Sequence, residues 1–179
     1  MCLILFAYHV HPAYRLILAA NRDEFYDRPS APADFWNSHP QMLAGMDLKE
    51  KGTWLGVTKE GKFAAITNYR DPASWKADAP SRGKLVSRYL TGSAGPEKYL
   101  RNVVKKADIY NGFNLLLGDG ADLFVYSNRG NIQKLSPGIY GLSNELLDAP
   151  WPKVRRGKKL LKKALAQKGT ELEEALFEL

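Results

Sequence analysis

The chain has 179 residues, of which 45% are hydrophobic and 25% are charged. This balance is typical of one globular domain, expected to span residues 1–179, and it excludes the disordered and collagen-like classes. The net charge of the chain is +7, and eight Lys or Arg residues lie between Lys153 and Lys168. The lack of interleaved aromatic residues in that segment favours a solvated basic helix face over nucleic-acid binding, with an anionic surface or acidic ligand as the alternative.

The first third of the chain predicts two hairpins separated by a loop. Apolar runs at Cys2–Tyr8 and Tyr14–Ala20 flank a proline-containing turn and predict a buried hairpin. Three prolines in Asn21–Pro40 predict a long surface loop without regular structure, of the kind that carries functional groups. The short alternating runs Thr53–Thr58 and Phe63–Thr67 predict a second hairpin.

The middle of the chain predicts two helices and then more strands. Helical spacing covers Arg82–Leu90 and Pro96–Ala107, with the glycine-containing break Gly92–Gly95 between them. Short strands separated by glycine and asparagine turns follow, and they predict an antiparallel meander. These strands are Phe113–Leu117, Leu123–Tyr126, Ile132–Leu135 and Ile139–Leu142.

The last part of the chain predicts two more helices. Pro152–Lys168 has helical spacing, with Val154, Leu161 and Leu165 on its apolar face. After Gly169, the pattern of Thr170 and Glu173 is a capping box that begins another helix. Because that helix has no glycine stop or polar tail, we expect the natural protein to continue beyond residue 179.

The order of these elements predicts the α+β class. Strands are joined by hairpins rather than by helical crossovers, which favours layered antiparallel sheets covered by helices. A single cysteine excludes an internal disulfide, no apolar run approaches the roughly 20 residues of a membrane span, and the opening stretch lacks the features of a secretory signal. We therefore predict a cytosolic protein without a transmembrane segment.

Cys2 is the first candidate for chemistry, because removal of Met1 would make it the N-terminal residue. Methionine is commonly removed before a small residue, and the product carries a thiol and a free α-amine on one residue. An α-amine has a pKa of about 7.7–8.0, which suits a base that activates its own nucleophile. The alternative is that Cys2 is a small buried residue at the start of a strand.

Two further groups of polar residues follow predicted strands. Arg22 and Asp23 come directly after the second strand, where the arginine would favour a thiolate and the aspartate would hold the amine; the alternative is a charged turn. Asn68 and Asn144 each end a predicted strand, and their amides suit the stabilisation of a tetrahedral oxyanion. Asparagine is also common at strand ends for reasons of turn geometry.

Taken together, these segments resemble the NRDE family, which includes the transport and Golgi organisation 2 proteins. The resemblance covers nearly the whole chain and rests on Met1-Cys2, the tetrapeptide Asn21-Arg22-Asp23-Glu24 and further segments in order. These are Gly52-Thr53-Trp54-Leu55-Gly56, Thr67-Asn68-Tyr69-Arg70, Ser81-Arg82-Gly83, Gly112-Phe113-Asn114-Leu115-Leu116, Leu142-Ser143-Asn144 and Pro150-Trp151-Pro152-Lys153-Val154.

The resemblance implies an αββα four-layer sandwich of the N-terminal-nucleophile hydrolase type, related to penicillin V acylases and bile salt hydrolases. By position it implies Cys2, Arg22, Asp23, Asn68 and Asn144 as site residues. The arginine and aspartate are adjacent here and separated in those hydrolases. A further arginine of those enzymes has no counterpart, which adds to the expectation of a missing C-terminal segment.

Two functions follow as hypotheses. The first is a thiol-dependent hydrolase or acyltransferase that needs no cofactor and acts on a small-molecule amide or acyl bond. The second is a non-enzymatic carrier of haem or an acyl lipid, since members of the family that the chain resembles have been connected with haem trafficking. His9 and His11 are candidate haem ligands under the second hypothesis. The residues predict no metal site and leave the oligomeric state open.

Overall fold

The structure is a computed structural model that describes residues 2–167 and 170–179. Met1, whose removal is predicted, and Lys168, the last residue of the helix predicted from Pro152, lie outside the described residues, as does the Thr170 side chain of the predicted capping box. The chain divides into two compact units. The first holds the residues up to Asp23 and those from Ser136 onward, and the second holds Glu24–Leu135.

The described residues form antiparallel strands and α-helices, which confirms the α+β class. In chain order the strands are β1 Leu3–Tyr8, β2 Leu16–Asn21, β3 Ser30–Trp36, β4 His39–Asp47, β5 Leu55–Thr58, β6 Phe63–Asn68, β7 Phe113–Gly118, β8 Leu123–Ser127, β9 Ile132–Lys134 and β10 Gly138–Leu142. The helices are α1 Gly83–Thr91, α2 Pro96–Val104, α3 Pro152–Ala164 and α4 Thr170–Phe177.

The first unit has a short sheet covered by α3. Over the described residues, its strand order is β10-β1-β2, and both pairings are antiparallel. β1 is buried along nearly its whole length because Leu, Ile and aromatic side chains fill both of its faces. Helix α3 buries Val154, Gly157, Leu161 and Ala164. A Cβ atom on Gly157 would lie 2.5 Å from Leu5 Cδ1, so helix and strand approach closely at this glycine.

The second unit is built on a larger sheet. Its described strands follow the order β3-β4-β5-β6-β7-β8-β9. Helices α1 and α2 bury Tyr89, Leu85 and Leu100 in a core with Phe113 and Leu117. The hydroxyl of Tyr89 donates to the carbonyl of Gly118 at 2.8 Å, which satisfies its polar group inside the core. The predicted hairpin of β5 and β6 and the existence of the predicted helices are confirmed, although α2 ends at Val104 and α3 at Ala164, each a few residues earlier than predicted.

Two predictions about strands are wrong. The segment Asn21–Pro40 is not a loop throughout, because β3 includes Pro32 and β4 begins at His39 just before Pro40. β3 is an exposed edge strand whose pairing shifts register between Ala31 and Asp34, and an edge strand tolerates a residue without an N–H. The meander ends at β9, since β10 leaves it and pairs with β1.

No helix within residues 2–167 or 170–179 is long and apolar enough to cross a membrane. The cytosolic location and the single domain over residues 1–179 stay predictions.

Candidate active site at Cys2

Cys2 lies directly before β1, at one end of the short sheet. β1 pairs with β2 through Leu3 opposite Asn21, and with β10 through Ile4 opposite Leu142. If both antiparallel registers are continued, Arg22 comes opposite Cys2 on one side and Asn144 on the other. Residues from three distant parts of the sequence are therefore brought to the same end of the sheet.

The backbone of Cys2 is held by two donors. Its side chain is buried, with the residue 8% exposed. The carbonyl oxygen accepts hydrogen bonds from Ser143 Oγ at 2.8 Å and from Lys153 Nζ at 3.2 Å. A carbonyl oxygen has two lone pairs, and these two donors use both. The position of the candidate nucleophile is therefore fixed from the β10 side and from α3.

The side-chain oxygen of Asn144 faces the same two groups. Asn144 is buried, with 8% exposure. Its Oδ1 lies 3.2 Å from Ser143 Oγ and 3.5 Å from Lys153 Nζ. Cys2 and Asn144 therefore share Ser143 and Lys153 as neighbours, so the nucleophile and the candidate oxyanion donor belong to one hydrogen-bonded cluster.

Side-chain hydrogen bonds and an ion pair hold the connection from β10 to α3 in place at both ends. Asp148 Oδ1 accepts from the Gly141 amide at 2.8 Å and pairs with Lys158 Nζ at 2.8 Å. The Trp151 indole donates from Nε1 to Glu145 Oε2. These bonds link the segment to β10 and to α3, which holds Asn144 in a defined place without a regular element around it.

Lys153 was not among the predicted site residues. Lys153 falls within the segment predicted to form a solvated basic face, and Arg155, Arg156 and Lys159 on the same helix are indeed exposed. Lys153 is partly buried instead, and burial lowers the pKa of its ammonium, an effect that the negative charge of a Cys2 thiolate opposes.

A signal for Lys153 was present in the helical spacing. Residues 153, 157 and 161 are four apart, and Gly157 and Leu161 lie on the buried face of α3. Lys153 therefore begins the row of residues that packs on the sheet. Ser143 had no such signal, because its role depends on β10 pairing with β1.

The remaining predicted residues are placed as follows. Arg22 is partly buried and Asp23 is exposed, both directly after β2. Asn68 is the last residue of β6 in the second unit, where Thr67 Oγ1 accepts from Asn114 Nδ2 at 3.1 Å. Asn68 thus ends a strand as predicted. The roles of Arg22, Asp23 and Asn68 at the site stay predictions.

The candidate haem ligands contact neighbouring tyrosines. The His9 ring packs edge-on against Tyr8 with centroids 4.5 Å apart, and the His11 ring stacks on Tyr14 at 5.2 Å. The Nδ1 atom of His11 also accepts from the Ala13 amide at 3.2 Å. Residues 2–167 and 170–179 contain no group of three or more His, Cys, Asp or Glu side chains arranged to hold a metal ion.

Comparison with known families matches the whole chain to one of them. The model of the family described as Transport and Golgi organisation 2 matches residues 1–179. The chain is 46% identical over 181 residues to the Transport and Golgi organization 2 homolog of Mus musculus, covering 93% of this chain and 65% of that protein. It is 47% identical over 180 residues to the Homo sapiens homolog, covering 92% and 64%. The chain therefore spans about two thirds of the length of these curated relatives.

A solved structure shares the fold. The Caenorhabditis elegans ortholog of N-acylethanolamine-hydrolyzing acid amidase superposes with a TM-score of 0.58 at 10% identity, covering 98% of this chain and 85% of that one. At such low identity the likeness shows the fold alone, and it confirms the predicted N-terminal-nucleophile hydrolase-like fold.

Proposed function

The chain belongs to the transport and Golgi organisation 2 family, and on that premise we propose that it is a thiol-dependent N-terminal-nucleophile hydrolase or acyltransferase. The proposed substrate is a small molecule with an amide or related acyl bond. The observation that carries the proposal is the placement of Cys2 and Asn144 side by side at one end of the sheet, with Ser143 and Lys153 bonded to the Cys2 carbonyl. The fold likeness to an acid amidase agrees with this reaction type.

In the proposed mechanism Met1 is removed, and the α-amine of Cys2 serves as the base. The amine takes the thiol proton, and the thiolate sulfur attacks the acyl carbon. As the tetrahedral intermediate collapses, the amine returns the proton to the leaving nitrogen, the C–N bond breaks and a thioester forms. Water then attacks the thioester and loses a proton to the amine, which passes it to the departing sulfur, so that the acid is released and the thiol is restored.

The surrounding side chains have separate roles in this mechanism. The Nδ2 group of Asn144 would donate to the oxygen that becomes negative in the tetrahedral state, where a single donor typically changes the rate by about 10²–10³. Arg22 would favour the thiolate, and Asp23 would accept a hydrogen bond from the amine. Transfer of the acyl group to a nucleophile other than water would make the same site an acyltransferase.

Mass spectrometry of the intact protein tests the proposal. The purified chain is incubated with p-nitrophenyl hexanoate, and p-nitrophenolate release is followed together with the protein mass. We expect an initial burst of one p-nitrophenolate per protein and one hexanoyl adduct, which peptide mapping places on Cys2.

The Cys2→Ala variant removes the single thiol of the chain and should show neither burst nor adduct. Asn144→Ala should still bind the ester but acylate about 10²–10³-fold more slowly. Adduct formation at equal rates in the wild type and Cys2→Ala, or on lysine side chains alone, would contradict the proposal.

A further inference from the structure

We propose that Lys153 is a positioning residue of the Cys2 site, which orients the side-chain amide of Asn144 toward the reacting acyl oxygen and anchors the Cys2 backbone. The inference rests on the proposed function, since it assigns Lys153 the task of preparing that same site for acyl transfer. It depends on three contacts of the Lys153 ammonium and on the position of Lys153 in α3.

The ammonium of Lys153 contacts three groups of the protein itself. Its Nζ lies 3.2 Å from the Cys2 carbonyl oxygen, 3.5 Å from Asn144 Oδ1 and 5.3 Å from the centroid of the Trp151 ring. A lysine ammonium has three N–H donors and no acceptor. A carbonyl, an amide oxygen and an aromatic face are three groups that attract such donors. Lys153 is therefore arranged to organise the site rather than to bind a substrate.

The amide orientation of Asn144 follows from this arrangement. Because lysine can only donate, the atom of Asn144 that faces Nζ must be the oxygen. Ser143 Oγ lies on the same side, 3.2 Å from Oδ1. The Nδ2 group is attached to the same planar carbon and points away from Lys153. Asn144 thus presents donors on the side opposite Lys153, which is the polarity that an oxyanion requires.

The positive charge of Lys153 lies where it is unfavourable for the stability of the protein. Lys153 directly follows Pro152, the first residue of α3, and a positive charge in the first turn of a helix is disfavoured by the helix dipole. Burial also disfavours the charge and lowers the pKa of this ammonium. A cation held against both effects, beside a cysteine, indicates a role at that cysteine.

The Trp151 indole also helps to hold the Lys153 ammonium in place. Its Nε1 donates to Glu145 Oε2 at 2.5 Å, so the ring plane is fixed relative to the connection from β10. The face of that ring contacts the Lys153 ammonium. Glu145 therefore acts on Lys153 through the indole.

Ionisation of the Cys2 thiol gives a direct readout of Lys153. The elements that flank Cys2 in this unit carry other charged groups as well, among them Arg22 and Asp23 after β2, Glu145 after β10, and the pair of Asp148 and Lys158 between that connection and α3. A Cys2 thiolate and the Lys153 ammonium attract one another. Removing the ammonium should therefore shift the thiol toward its neutral form.

The test measures iodoacetamide alkylation from pH 5 to pH 10, since the chain has one cysteine and every event reports Cys2. We expect Lys153→Met to react about tenfold more slowly at pH 7 and to move the midpoint upward. Lys153→Arg, which keeps the charge, should react at close to the wild-type rate. The matched control is Lys159→Met, which removes an exposed lysine from the same helix and should leave the profile unchanged.

Acylation by p-nitrophenyl hexanoate separates the two parts of the proposal. Lys153→Met should slow the acylation of Cys2 by a larger factor than its alkylation, because Asn144 is also misplaced. When Asn144 is already replaced by alanine, Lys153→Met should slow acylation only by the factor by which it slows alkylation. If Lys153→Met fails to fold, Lys153→Gln, which is neutral and keeps an N–H donor, takes its place.

Identical alkylation profiles for Lys153→Met and Lys159→Met would overturn the role of Lys153. Additive losses in acylation for Lys153→Met and Asn144→Ala would overturn the orientation of Asn144 by Lys153. Absence of acylation in the wild type, with a shifted alkylation profile in Lys153→Met, would contradict the proposed function and still support the placement of Lys153 at Cys2.

Discussion

The close approach of α3 to β1 at Gly157 can be tested by adding one methyl group. A Cβ on residue 157 would lie 2.5 Å from Leu5 Cδ1 and 2.8 Å from Leu5 Cδ2, well inside normal contact distance. Leu5 is 1% exposed and packed within the core, so its methyl groups have little room to move. Gly157→Ala must therefore shift the helix or strain the leucine.

The expected magnitude is the difference between two effects. Overpacking of this size costs about 1–3 kcal/mol, whereas replacing a mid-helix glycine by alanine contributes about 1 kcal/mol to stability. We expect Gly157→Ala to lower the free energy of unfolding by about 1 kcal/mol. Leu5→Val removes both clashing methyl groups, so in that background Gly157→Ala should stabilise by up to about 1 kcal/mol.

The assay is urea unfolding of the four proteins of this double-mutant cycle, followed by circular dichroism. We expect the effect of Gly157→Ala on the free energy of unfolding to change sign between the wild type and the Leu5→Val background. This corresponds to a coupling of about 2 kcal/mol between residues 5 and 157. If Gly157→Ala stabilises both backgrounds equally, the helix does not press on Leu5 and the packing argument is refuted. The result also bears on the site, because Lys153 lies one turn earlier on the same helix.

Three further predictions concern pH and the connection from β10. Burial tends to raise the pKa of Asp47, but hydrogen bonds from Arg28 hold it below its usual range; stability should therefore fall as the pH drops below about 4, and Asp47→Asn should flatten that acid limb in urea unfolding. Burial raises the pKa of Tyr99 to about 12, while its hydroxyl donates to Leu85. Because the unfolded tyrosine ionises near pH 10, stability should fall above about pH 10, and Tyr99→Phe should make this fall shallower in alkaline denaturation. Asp148→Asn loses an ion pair with α3, and we expect about 1 kcal/mol lower stability in urea and slower acylation of Cys2; an unchanged acylation rate would contradict the anchoring role.

The hairpins and helices could be predicted because their signals are local. Alternation in Phe63–Thr67 and helical spacing in Pro96–Ala107 are each visible within a dozen residues. β3 could not be predicted in the same way, since an exposed edge strand that contains Pro32 lacks both the apolar pattern and the full set of donors. The pairing of β10 with β1 joins residues that are 130 to 138 positions apart, and no local pattern specifies such a contact.

The site was predictable to the extent that its residues end strands. Cys2 and Asn144 were identified as strand-end residues, but their shared contacts with Ser143 and Lys153 depend on the long-range pairing of β1 and β10. Lys153 was misassigned because its neighbours form a basic face, and charge composition outweighed its four-residue spacing from Gly157. For a lysine near a helix start, spacing relative to buried positions is the better guide.

The central claim is that Cys2 acts as a nucleophile with its own α-amine as the base. The most direct measurement compares the acylation rate of the mature chain, in which intact mass shows loss of Met1, with that of a form carrying two extra residues before Cys2. Both are treated with p-nitrophenyl hexanoate at pH 7.5. We expect rapid formation of a Cys2 adduct in the mature chain and at least a hundredfold slower reaction in the extended form, on the order of the contribution of a general base. Equal rates in the two forms would contradict the central claim.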